Sequence, residues 1–228
     1  MENTGKTEGR VQVCLSEGRA ELVEKKSRFL SLAVPVQREE EVQALLQRVR
    51  REHRDARHHC YAYILGAAGE TEKFSDDGEP AKTAGMPILE LLRIRRIRGC
   101  CVVVTRYFGG ILLGTGGLVR AYRAAAAAAL AQSVIGERSA GKRVLWEADY
   151  SLYGSLQHMA EEEKLPVLRT EFGALVTMEM LIPDEKWEQV QKKASEMSNG
   201  RLKTGDPAPC FYCMAGGKLH LLPEAVVP

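Results

Sequence analysis

Hydrophobic and polar positions change their period several times along this chain, and each change marks an element. Arg19-Ala20-Glu21-Leu22-Val23-Glu24 and Phe29-Leu30-Ser31-Leu32-Ala33-Val34 read as two half-buried strands, and the polar Lys25-Lys26-Ser27-Arg28 between them predicts a hairpin. From Arg38 to His53 the period lengthens. Val42, Leu45, Leu46 and Val49 recur at i, i+3, i+4 and i+7 among charged residues, which predicts an amphipathic helix lying on a sheet. His59 to Leu65 is β-prone and stops at Gly66, so a third strand is expected there. Thr83-Ala84-Gly85-Met86-Pro87 opens a helix that carries Ile88, Leu89, Leu91 and Leu92, since proline is tolerated in a first turn. Cys100 to Thr105 reads as a central strand. The segment from about Thr115 to Ala131 is the next helix, and its run Ala124 to Ala129 lets a neighbouring element approach closely.

Beyond the polar, glycine-flanked Gly136 to Gly141, which reads as a linker, the order changes. Strands at Arg143 to Asp149, Pro166 to Phe172, Ala174 to Ile182 and Leu202 to Gly205, with helices at Leu152 to Lys164 and Asp184 to Met197, give βαββαβ, the ferredoxin-like order. Leu219 to Leu222 is a short apolar tail able to add an edge. The class is therefore α+β in two domains, residues 15–135 and 142–222.

Composition narrows the function classes. Apolar content of 45% with 27% charged residues is that of a soluble globular protein. The polar start Met1 to Glu8 lacks the apolar core of a signal peptide, and no apolar run approaches a membrane span, so a cytoplasmic location is expected. The net charge of +2 conceals an asymmetry: residues 1–140 carry 22 Lys and Arg against 17 Asp and Glu, residues 141–228 carry 10 against 13. An anionic partner for the first part is favoured, although a dedicated DNA binder would be more basic. Six cysteines, two of them adjacent at Cys100 and Cys101 within an apolar run, do not form a disulfide framework. Cys210-Phe211-Tyr212-Cys213 is a lone CxxC with only His220 close behind, which falls short of the paired clusters of a zinc site.

Two loops carry candidate chemistry. In the first, an apolar strand runs through Arg106-Tyr107-Phe108-Gly109-Gly110, then Gly114, Gly116 and Gly117, into a helix bearing Arg120 and Arg123. Free backbone N–H groups and a helix dipole suit an anion there. The spacing excludes standard nucleotide loops: Thr115 stands where G-x-x-x-x-G-K-S/T needs lysine, and G-x-G-x-x-G is absent. Tight turns and close helix–sheet packing would equally explain the glycines. Cations in the first turns of a helix oppose its dipole unless an anion or a carboxylate answers them. The second loop supplies carboxylates at Asp76, Asp77 and Glu79, which could pair with those arginines, hold Mg²⁺, or shape an Asp-Gly turn. If the strand is right, His58 and His59 lie on opposite faces. No nucleophile–base constellation is identifiable.

Three blocks resemble the IMPACT/YigZ family: His59-Cys60-Tyr61-Ala62-Tyr63; Ser75-Asp76-Asp77-Gly78-Glu79-Pro80 followed by Thr83-Ala84-Gly85-Met86-Pro87-Ile88-Leu89; and Val102 to Gly110 continuing to Gly117-Leu118-Val119-Arg120-Ala121-Tyr122. The carboxyl part is similar to the small domain that bacterial members append, which looks like the last domain of elongation factor G. Lys82 departs from the glycine usual before Thr-Ala-Gly in that family, a change able to narrow or charge a pocket. The resemblance implies a ribosomal-protein-like βαβ first domain, with a mixed sheet and helices on one face, and an association with translation.

The leading expectation is a non-catalytic protein that binds RNA or the ribosome through Arg106, Tyr107, Gly109, Gly110, Gly114, Gly116, Gly117 and Arg120, with Asp76, Asp77 and Glu79 alongside and no cofactor. Arg106 and Arg120 would contact phosphate and Tyr107 would stack on a base. A Mg²⁺-dependent enzyme acting on a phosphorylated small molecule and a protein-binding regulatory module are the alternatives.

Overall fold

A computed structural model describes residues 10–66 and 68–223, so the polar start Met1 to Glu8 lies outside the described residues. These divide into two compact units, one reaching Glu137 and one starting at Arg138. In the first unit the order is β1 (Gln12–Cys14), β2 (Gly18–Glu24), β3 (Ser27–Pro35), α1 (Glu39–Glu52), β4 (His58–Leu65) and β5 (Thr71–Ser75). There follow α2 (Gly85–Ile94), β6 (Ile97–Arg98), β7 (Cys100–Tyr107), α3 (Thr115–Gln132) and β8 (Ile135–Glu137).

The main sheet runs β2-β3-β7-β4-β5, and every pairing in it is antiparallel. Among the described residues parallel pairing is confined to β1 with β6, in a separate three-stranded sheet β6-β1-β8. The expected mixed sheet with helices on one face is thus corrected: both faces are covered. Cys100, Val102 and Val104 of β7 pack with α2 and α3, whereas Cys101 and Val103 pack with Val42, Leu45, Leu46 and Val49 of α1. The physical cause is the uninterrupted apolar run of β7. Neighbouring side chains on a strand point to opposite faces, so a strand apolar at every position needs cover on both.

The hairpin is tighter than its polar segment suggested. Only Lys25 and Lys26 separate β2 from β3, with φ of 45° and 65°, the left-handed pair that a two-residue turn requires. Three glutamates, Glu39 to Glu41, open α1 and Arg50 and Arg51 close it, complementing its dipole. The alanine face of α3 buries Ala125, Ala126 and Ala129, and a Cβ on Gly18 of β2 would collide with the Ala129 carbonyl. Small residues on both sides set that close helix–sheet approach.

The second unit contains β9 (Ser139–Ala148), α4 (Tyr150–Glu162), β10 (Val167–Phe172), β11 (Val176–Pro183), α5 (Trp187–Ser198), β12 (Lys203–Thr204), β13 (Ala208–Ala215) and β14 (Lys218–Leu222). Its sheet follows β10-β11-β9, with β12 and β13 sharing the far side of β9 and β14 adding the edge. Strands β9, β10, β11 and β12 with α4 and α5 form the βαββαβ unit around Trp146, Leu156, Met159, Met178 and Met180. The division between the units falls within Gly136 to Gly141, as its composition predicted, although all of that segment except Arg138 is strand. Cys210 and Cys213 both lie on β13, three residues apart and so on opposite faces, which prevents them from chelating one ion together.

Candidate functional site

The acidic turn leaves β5 and returns into α2, and its carboxylates have separate duties. Asp76 accepts from the backbone N–H groups of Lys82 (2.7 Å), Ala84 (3.0 Å) and Gly85 (2.8 Å), which closes the turn and places a negative charge at the start of α2. Asp77 accepts from the His59 backbone N–H at 2.7 Å, while its own carbonyl lies 2.9 Å from His58 Nδ1. The turn is thereby sewn to β4. Lys82 takes φ of 61°, a left-handed conformation that glycine adopts freely, and its side chain is exposed. This gives the glycine expected there a backbone reason, and leaves the lysine outside the protein rather than in a pocket.

Glu79 is turned inward. Its Oε1 accepts from Arg106 Nη1 and from the Tyr122 hydroxyl, each at 2.7 Å, and the side chains of Glu79 and Arg106 are only 4% and 6% exposed. Arg106 Nη2 donates to Ser27 Oγ at 3.2 Å, and that hydroxyl also accepts from the Gly109 N–H at 3.2 Å. The guanidinium carbon lies 5.4 Å from the Phe29 ring centre and 5.5 Å from that of Phe108, while Arg106 Nε has no hydrogen-bond partner among the described residues. Burial raises the Tyr122 phenol far above its usual range and does the same to the neighbouring Cys60 thiol, keeping both neutral. One buried ion pair thus ties the acidic turn to the start of the glycine-rich loop.

Tyr107 faces the other side of the sheet, where its hydroxyl lies 3.0 Å from His53 Nδ1 and Arg28 packs over its ring. His58 and His59 also diverge: His59 Nδ1 lies 3.1 Å from Thr105 Oγ1 on the α1 face. Gly109 presses on the hairpin turn, so that a Cβ there would fall on the Lys26 carbonyl and the Ser27 nitrogen. Gly110 and Gly114 have φ of 81° and 70°, and Gly114 is the residue before α3. Gly116 and Gly117 lie in the first turn of α3, which has no acidic residue and no capping side chain. Arg120 and Arg123 are exposed, as are Lys25 and Lys26 beside Gly109, and none of the four makes an ion pair among the described residues.

The structure therefore separates the candidate residues into two groups. Asp76, Asp77, Glu79 and Arg106 hold the loops in place. Gly110, Gly114, Gly116, Gly117 and Arg120 remain on the surface with the N–H groups of α3, whereas Gly109 packs against the hairpin turn and Tyr107 turns to the other face of the sheet. Sequence reasoning gave Ser27 no role, since a lone hydroxyl between Lys26 and Arg28 carries no signal; Phe108, 45% exposed, takes the loop position foreseen for Tyr107.

Together these features define a two-unit α+β protein whose first unit presents a glycine-rich loop braced by a buried acid–arginine pair. Residues 25–130 match the model of the Impact N-terminal domain, and residues 147–201 match a domain of unknown function, DUF1949. The chain is 35% identical to IMPACT family member YvyE of Bacillus subtilis, over 83% of this chain and 88% of that protein. It is equally 35% identical to IMPACT family member YigZ of Escherichia coli, over 78% and 89% of the two. A solved structure described as the crystal structure of an hypothetical protein superposes with a TM-score of 0.55 at 32% identity, covering 85% of this chain and 95% of that one. The chain belongs to the IMPACT family.

Proposed function

We propose that this protein works in translation by binding RNA, on the ribosome or free, through the first turn of α3 and the loop before it. The carrying observation is the start of α3: glycine-flanked N–H groups with no capping side chain and no first-turn carboxylate, with exposed Arg120 and Arg123 in the turns that follow and Lys26 beside Gly109 in the loop before, none of them in an ion pair among the described residues. Phe108 is the aromatic surface on which an unpaired base stacks, in place of Tyr107. Membership in the IMPACT family supports the translation setting, and among the described residues no helix is long and apolar enough to cross a membrane. Asp76, Asp77 and Glu79 do not converge as a Mg²⁺ site would need, each being directed at its own protein partner. Exposed Ile111 and Leu112 at the loop tip favour a protein partner as the second reading.

Co-sedimentation with ribosomes and anisotropy with single-stranded RNA test the proposal. Arg120→Ala with Arg123→Ala should weaken both uniformly across sequences, and lower the salt slope by about 0.7 per lost phosphate contact. Unchanged binding in that variant refutes it; partners that survive nuclease and depend on Leu112 establish the protein reading instead.

A further inference from the structure

The sheet of the second unit ends at β10, and beyond it no further strand is paired among the described residues. An edge strand leaves alternate backbone N–H and C=O groups free to pair with another strand. After a bulge between Val167 and Arg169, the residues from Arg169 to Phe172 keep an unbroken register with β11. Met178 and Val176 of β11 are buried, so Thr170 and Phe172 opposite them stand on the helix side of the sheet. Arg169 and Glu171 stand on the other side, exposed and paired with each other. The next charge across the register, Glu179 of β11, is taken by Arg143 of β9. Phe172 is 62% exposed and flanked by two tyrosines of α4. Tyr150, 56% exposed, stacks on it with ring centres 6.4 Å apart, and Tyr153 meets it edge-on at 5.4 Å. An unpaired edge with exposed rings beside it marks an interaction surface.

What fits this edge is set by its own sequence. When two copies of β10 pair antiparallel about Thr170, that residue meets itself, each Arg169 meets the other copy's Glu171, and each Phe172 meets the other copy's Leu168. A register two residues away sets Arg169 against Arg169 or Glu171 against Glu171, so the charges select the first. We propose that the outer edge of β10 is a self-association surface, on which two copies of this chain join by antiparallel pairing centred on Thr170. Their six-stranded sheets merge into one about a twofold axis. The Arg169–Glu171 pair, exposed and worth little within one chain, becomes half of a ring of alternating charges. This surface lies within the second unit and does not depend on the RNA reading.

Sedimentation of the full chain from about 1 to 300 µM tests it, since one short strand pair with an aromatic flank gives a dissociation constant of about 1–100 µM. Arg169→Glu and Glu171→Arg each set like charges across the twofold axis and should weaken the dimer by about tenfold or more. An equimolar mixture of these two variants restores opposite charges at every position and should associate at least as tightly as the wild type. The double exchange Arg169→Glu/Glu171→Arg should self-associate again. Both side chains are exposed, and unchanged far-ultraviolet circular dichroism will show that the variants fold. A wild type that stays monomeric at about 300 µM, single variants that associate as the wild type does, or a mixture that stays monomeric overturns the proposal.

Discussion

The Glu79–Arg106 pair makes the sharpest energetic prediction. Both side chains are almost wholly removed from solvent, and the guanidinium is held by Glu79, by Ser27 and by two ring faces. Replacing Glu79 strands a charge that cannot shed its proton, so Glu79→Leu should cost about 3–5 kcal/mol. Arg106→Met strands the carboxylate on the Tyr122 hydroxyl and should cost a similar amount. The double variant Glu79→Leu/Arg106→Met leaves only neutral groups without partners. Its cost should match one single variant and not their sum, a coupling of about 3 kcal/mol.

The two units allow the assay to localise the effect. Both tryptophans, Trp146 and Trp187, belong to the second unit, so their fluorescence follows that unit alone, while circular dichroism follows both. With a urea slope of about 1–3 kcal/mol per molar, a 3 kcal/mol loss moves the first unit's midpoint down by about 1–3 M. The loss should persist in high salt, because a buried pair is little screened. The exposed Arg28–Glu21 pair is the control, and breaking it should leave the midpoint where it is. Single-variant costs below about 1 kcal/mol, or additive costs in the double variant, would refute the view that a dry ion pair fastens the two loops.

Three further outcomes follow from backbone geometry and burial. Gly109→Ala should destabilise the first unit more than Gly110→Ala, because the first Cβ meets the Lys26 backbone whereas the second meets nothing within 4 Å and pays only for φ of 81°, about 1–2 kcal/mol. Thermal melts rank the two, and the opposite order would overturn the packing argument. Lys82→Gly should raise stability by about 0.5–1 kcal/mol, since relief of the left-handed backbone outweighs the added freedom of the unfolded chain, and a lower melting temperature would contradict this. Burial depresses His59 below its ordinary 6.5, so the unfolded state binds more protons as pH falls through that value. Stability contributed by the neutral ring is whole above it and lost on acidification; urea midpoints from about pH 7 to pH 5 should fall less steeply in His59→Gln than in the wild type.

The elements that depend on side-chain period were legible in the sequence: α1 from its four apolar positions, β7 from its unbroken run, and the second unit from its order of strands and helices. Elements whose pairing is set from far along the chain were not. Thr71–Ser75 has no strong alternation and is a strand because β4 pairs with it, and Ala208–Ala215, flanked and interrupted by proline, is held by β9 more than sixty residues earlier. Two residues at the end of β7 changed the site. Ending that strand at Thr105 put Arg106 and Tyr107 together in a loop; extending it to Tyr107 sends them to opposite faces, one to Glu79 and the other to His53.

The same geometry turns an open question about charge into an argument for an external anion. Arg120 and Arg123 fall in the second and third turns of α3, past the first turn where the dipole is felt, and the acidic turn was one source of a carboxylate for them. Yet Asp76 is taken up by the start of α2, Asp77 by β4 and Glu79 by Arg106. Every carboxylate of the turn is committed before it can reach Arg120 or Arg123. The start of α3 therefore keeps its N–H groups and its neighbouring cations without a carboxylate partner among the described residues, which supports the proposal that a phosphate from outside binds there. On the proposed reading the acidic turn takes Arg106 out of that site and fixes the loop in place, which is why the arginines to mutate are Arg120 and Arg123.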